Sequence, residues 1–120
     1  MRLPAHLHIK ESRDFGQMKS LGQSHPGRFM VLSVLHEPEL NGFRFGLIAS
    51  RKVGKAVTRV RIRRLLREVV RAQQGRIKPG TKMILIARWR APEATLDELQ
   101  QDWLKIARRA NILNPPPQSP

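Results

Sequence analysis

The segment Phe45-Gly46-Leu47-Ile48-Ala49-Ser50-Arg51-Lys52-Val53-Gly54-Lys55-Ala56-Val57-Thr58-Arg59-Val60-Arg61-Ile62-Arg63-Arg64-Leu65-Leu66-Arg67-Glu68 decides the fold of this chain. It opens in a strand: residues 43–50 carry the aromatic and apolar content that pairs in a sheet. Residues 51–55 form a basic connection through Gly54. A helix then runs from about residue 56 to residue 73. On its wheel Thr58, Ile62, Leu65, Leu66 and Val69 share one face, which should meet the sheet. Val60, Arg63, Arg64, Arg67 and Arg71 occupy the opposite face, with Arg59 and Arg61 at the boundary.

Five arginines fall within the nine positions from Arg59 to Arg67. A charge run is most often a solvated helix face, but such a face mixes signs, with acids four residues from bases. Residues 55–71 hold seven positive side chains and one negative, Glu68. The pairs Arg59/Arg63, Arg63/Arg67 and Arg67/Arg71 set like charges one turn apart, which opposes the isolated helix. A polyanionic partner accounts for that retained repulsion better than solubility does. Arginine's planar fork also bridges phosphate oxygens and stacks on bases. The expected nucleic-acid contacts are Arg51, Lys52, Lys55, Arg59, Arg61, Arg63, Arg64, Arg67 and Arg71. With about six phosphates neutralised, the log–log salt slope of binding is about −4 to −5.

The same bias extends to the whole chain. Its 120 residues hold 23 Lys+Arg against 9 Asp+Glu, a formal net charge of +14. This size fits one domain, expected over residues 1–113, with a disordered proline-rich tail over residues 114–120. The absence of cysteine excludes a disulfide framework and a thiolate zinc site. No apolar run reaches the length of a membrane span, and the start lacks the apolar core of a secretory signal. A cytoplasmic protein with no membrane partner is expected.

Outward from the basic helix, Ser12 should cap a short helix over residues 12–21. Residues 22–27, rich in Gly, Ser and Pro, read as a loop. Residues 28–36 read as a strand with Phe29, Val31, Ser33 and Leu35 on one face and Met30, Leu32 and Val34 on the other. Asn41-Gly42 is a hairpin signal, so strand 43–50 should lie antiparallel to it. Residues 78–80 read as a turn and residues 82–87 as a third, more buried strand. Thr95-Leu96-Asp97-Glu98 is a capping box that opens a last helix. Its apolar stripe is Leu96, Leu99, Trp103, Ile106 and Ala110. The fold class is therefore α+β, with helices packed on a small, mostly antiparallel sheet.

A catalytic centre within the chain is not expected. Only Asp97, Glu98 and Asp102 cluster among the acids, and cap and macrodipole roles suffice for them. His6-x-His8 is a weak metal motif, His25 and His36 lack an acid partner, and no P-loop is present. Most phenylalanines and Trp103 should be core. Trp89 sits between Arg88 and Arg90 and should be exposed.

The segment quoted first closely resembles the protein component of bacterial ribonuclease P. Gly46, Ser50-Arg51-Lys52, Gly54-Lys55-Ala56-Val57, Arg59-Val60-Arg61 and Arg63-Arg64-Leu65-Leu66-Arg67 stand in the register of that family's signature without a gap. Weaker similarity covers Arg13-Asp14-Phe15, the strand beginning at Arg28 and Ile84-Leu85-Ile86-Ala87-Arg88. The resemblance implies an α-β sandwich with a left-handed β-α-β crossover. It implies a subunit of a ribonucleoprotein endonuclease whose catalytic RNA, with Mg2+, removes the 5′ leader of precursor tRNA. No catalytic residue in the protein, no organic cofactor and no obligate protein partner follow from it. In the family the basic helix faces the catalytic RNA. The leader lies in a cleft whose lining here would be Phe15, Val31, Ser33, Ile48, Ser50 and Lys52.

Two departures stand out. Val60 replaces the family's central asparagine, and valine neither accepts a hydrogen bond nor holds a metal-bound water. Lys19 and Ser33 stand where the family often has an aromatic, which favours charge over stacking. The alternative reading, a structural ribosomal-type RNA-binding protein, shares the charge and size but lacks this motif.

Overall fold

A computed structural model of the chain describes residues 22–114. The expected helix over residues 12–21 lies outside them. One sheet contains β1 (Gln23–Pro26), β2 (Met30–His36), β3 (Arg44–Ile48) and β4 (Thr81–Ala87), in the order β1-β2-β4-β3. The β1/β2 and β2/β4 pairs are antiparallel and β3/β4 is parallel. Helix α1 (Ala56–Gln73) connects the parallel pair, and α2 (Leu96–Ala110) follows β4. The architecture is the expected α+β, mostly antiparallel layer.

Two local expectations need correction. Strands β2 and β3 run in opposite directions but do not form a hairpin, because β4 lies between them. The turn signal is present, with Gly42 at φ +79°, but it redirects the chain without setting its neighbour. β4 is buried along almost its whole length, so the centre of the sheet is where its apolar residues leave water. The returning turn fits in tightly: Gly80 donates to the Gly42 carbonyl at 2.8 Å and accepts from Glu37 at 2.7 Å. A side chain at Gly80 would meet the Glu37 carbonyl at 2.9 Å, and its φ is +85°. Residues 22–27, expected as a loop, contain β1. Its proline is tolerated because β1 is an edge strand.

The sheet has two unlike faces. Met30, Leu32, Phe45, Met83 and Leu85 point toward the helices and are buried with Ile62, Leu66, Val69, Leu99, Trp103 and Ile106. Leu35, Ile48, Ile84 and Ile86 gather on the other face. On α1, Val70 is buried, while Thr58 and Leu65 are only half-buried. The buried stripe is thus turned toward Val70, since α1 packs on α2 as well as on the sheet. The capping box of α2 forms as expected, with Thr95 N–H donating to Glu98 and Glu98 N–H to the Thr95 hydroxyl. Leu96 remains exposed at the first position of the helix, outside the buried stripe.

Asp102 has a different role from the one expected. It is buried in the middle of α2, and its carboxylate accepts from the backbone N–H groups of Arg28 and Phe29. Gly27 permits this approach, because a Cβ there would collide with Ile106 and lie 2.8 Å from both Asp102 oxygens. At the other end, Asn114, where the expected tail begins, still donates to the Arg76 carbonyl at 2.7 Å. Residues 115–120 lie outside the described residues.

Candidate nucleic-acid interface

The bounds of α1 match the sequence expectation, so its arginine positions can be read directly. Arg61, Arg64 and Arg67 are exposed, and Arg59 and Arg63 are half-buried. Arg51, Lys52 and Lys55 are exposed in the connection that precedes the helix. That connection is anchored by buried Val53, whose N–H donates to the Ser50 carbonyl at 3.0 Å.

The start of α1 is built against its own stability. Lys55 is the N-cap and makes no side-chain cap, and the first turn holds no acid. Unsatisfied N–H groups and the positive end of the macrodipole therefore sit beside Lys55 and Arg59. A phosphate placed there would relieve both.

Among the described residues, ion pairs within 4.0 Å join Arg71 to Glu68 and Lys82 to Glu37. Arg71 donates from Nε and Nη2 to Glu68 Oε2, at 3.0 and 2.8 Å. The hydrogen bond from Arg71 holds the Glu68 carboxyl below its ordinary range, and the same contact raises Arg71. The single acid of the helix is thus spent on its last arginine. Arg59, Arg63, Arg64 and Arg67 have no carboxylate partner among the described residues. Arg61 donates to the Pro92 carbonyl at 3.3 Å, a bond that neutralises no charge.

The residues expected to line the leader cleft divide between two places. Val31, Ser33 and Ile48 lie on the sheet face turned away from α1 and α2. They fall in two rows across the strands, Val31–Ile86–Ile48 and Ser33–Ile84–Gly46. Ser50 and Lys52 are exposed just past the end of β3. Phe15 lies outside the described residues. Ile84 and Ile86 share this face but were not foreseen, because an apolar strand buried on both sides gives no alternation to read. Lys82, also on this face, is buried and paired with Glu37 at 3.1 Å.

The aromatics sort as expected. Phe29, Phe43, Phe45 and Trp103 are buried, and Trp89 is exposed. Among the described residues no three His, Cys, Asp or Glu side chains could together hold a metal ion. Position 60 offers no ligand either, so the described residues do not fit a protein-held magnesium. Among the same residues no helix is long and apolar enough to cross a membrane.

Comparison with known proteins agrees with this geometry. The Ribonuclease P family model matches residues 3–111. The ribonuclease P protein component of Natranaerobius thermophilus is 36% identical over 105 residues, covering 88% of this chain and 90% of that protein. That of Syntrophomonas wolfei is 33% identical over 104 residues, covering 87% of each. The ribonuclease P protein structure from Staphylococcus aureus superposes with a TM-score of 0.82 at 30% identity, covering 90% of this chain and 98% of that one. Motif, sheet order and basic helix, together with a match over nearly the whole length, lead to one assignment: the chain belongs to the ribonuclease P protein family.

Proposed function

We propose that this chain uses the outer face of α1 to neutralise the backbone of the ribonuclease P RNA and the far face of the sheet to hold the 5′ leader of precursor tRNA. The family supplies the protein subunit of a ribonucleoprotein endonuclease of tRNA 5′ maturation, with the chemistry in the RNA. The observation that carries the reading is the run Arg59, Arg63, Arg64 and Arg67, held on a well-packed helix without carboxylate partners among the described residues. Crowded phosphates from two RNA chains repel; guanidinium groups between them lower that cost and let the leader approach the catalytic RNA. The half-buried row Val31–Ile86–Ile48 suits unstacked bases, and exposed Ser50 and Lys52 at the rim suit the backbone. Magnesium enters this reading as an ion held by RNA. The ribosomal-type alternative has no comparable support.

Reconstitution with a bacterial catalytic RNA across a magnesium series tests the reading. The chain should lower the magnesium needed to cleave precursor tRNA. Lys52→Glu, at an exposed position, should weaken binding of precursor several-fold while leaving leaderless tRNA unaffected. Equal losses for both RNAs, or none, would remove the leader from this face.

A further inference from the structure

Parallel strands end on the same edge of a sheet, and here that edge gathers cations from three segments. β3 leads into Arg51 and Lys55, and β4 leads into Arg88, Trp89 and Arg90. β2, antiparallel to β4, starts there after Arg28. Large apolar side chains are exposed on the segment after β4 and on the first turns of α1. Val57 is 83% exposed, Trp89 58% and Val60 47%. The Arg61–Pro92 hydrogen bond ties the segment after β4 to the first turns of α1, which brings these two groups to one side of the molecule. Ala56, Val57, Val60, Arg61 and Arg64 line a shallow, mostly apolar groove of about 430 Å³.

The exposed Trp89 ring already stacks with one planar cation. The Arg90 guanidinium lies 4.9 Å from its ring centroid, and Arg88 is fixed by a 2.8 Å bond to the Gly27 carbonyl. An exposed indole beside arginines, with apolar surface on the adjoining helix, matches the chemistry of an unpaired nucleobase on a charged backbone. An acidic protein would satisfy the arginines but leave the indole without a planar partner. The adjoining face of α1 is assigned above to the catalytic RNA, and the Arg61–Pro92 bond ties this segment to it. That RNA is therefore the occupant.

We infer that Trp89 is a stacking platform for an unpaired base of the catalytic RNA, engaged while the α1 arginines hold the neighbouring phosphates. This rests on the reading given under Proposed function and names a contact that charge alone does not supply.

Tryptophan fluorescence of the full chain, titrated with the catalytic RNA and separately with a leader oligonucleotide, tests it. Trp103 is fully buried, so a change in the quencher-accessible emission reports Trp89. The catalytic RNA should quench that emission and shield it from acrylamide. Trp89→Ala should weaken binding about tenfold with an unchanged salt slope, and Trp89→Phe should recover most of the loss. Wild-type binding without quenching, or equal affinity for Trp89→Ala, overturns the platform and leaves the electrostatic reading standing. Quenching by the leader alone overturns the choice of partner. Failure of the wild-type chain to bind the RNA overturns both readings.

Discussion

Asp102 holds Phe29 across 73 residues of sequence: its carboxylate accepts the Phe29 N–H at 2.8 Å, and a second bond from Arg28 measures 2.9 Å. Helix α2 is thereby fastened to the turn that delivers β2 into the sheet. The geometry leaves no room for a side chain at Gly27, so the contact depends on both residues. Asp102→Ala strands two backbone donors in a buried setting. It should cost about 2–4 kcal/mol of unfolding free energy. Urea denaturation would read this as a lower midpoint at unchanged slope, with RNA affinity of the folded variant unaltered.

Glu68 and Arg71 form a half-exposed pair on the helix surface, so its signature is titration more than stability. The folded-state pKa of Glu68 is lowered, first by the Arg71 hydrogen bond. A lowered carboxylate contributes its stabilisation above the unfolded value and loses it as pH falls through the folded one. The pair is therefore intact at neutral pH and fails only in acid. NMR titration of the Glu68 carboxyl should give a midpoint below the ordinary 4.5, and Arg71→Ala should return it toward that value. An unchanged midpoint in the variant would remove Arg71 as the cause.

Removing the acid should also strengthen the field of the helix. Glu68→Gln frees Arg71 and raises the net charge by one. Binding of the catalytic RNA should tighten a few-fold at low salt, with a salt slope steeper by about one. A filter-binding series would show it, and equal slopes would mean that Arg71 stays off the RNA.

Val60 sits on the outer arginine face at 47% exposure, where asparagine fits without repacking. Val60→Asn should change stability by less than about 0.5 kcal/mol. It restores a hydrogen-bond acceptor between Arg59 and Arg61. Cleavage by the reconstituted enzyme should then need less magnesium. An unaltered magnesium midpoint would make position 60 irrelevant to ion binding.

Helix α1 was legible to its ends because an apolar stripe with a 3.6-residue period survives dense charge on the other faces. The capping box of α2 was legible for the same local reason. The insertion of β4 between β2 and β3 was not, since a turn signal at Asn41-Gly42 specifies a reversal and not a neighbour. The role of Asp102 was hidden because its partners are backbone groups more than 70 residues away. For the site, the arginine face and exposed Trp89 followed from sequence. The contribution of Ile84 and Ile86 to the far sheet face did not, because a strand buried on both sides looks uniform.

The central claim is that the α1 guanidinium groups without a carboxylate partner among the described residues seat RNA phosphates. The most direct measurement is the salt dependence of Kd for the catalytic RNA, comparing the wild-type chain with Arg64→Gln/Arg67→Gln. Both positions are exposed and glutamine keeps the helix. The account predicts weaker binding at moderate salt and a log–log slope reduced in magnitude by about two. The same Kd and slope in both proteins would contradict it.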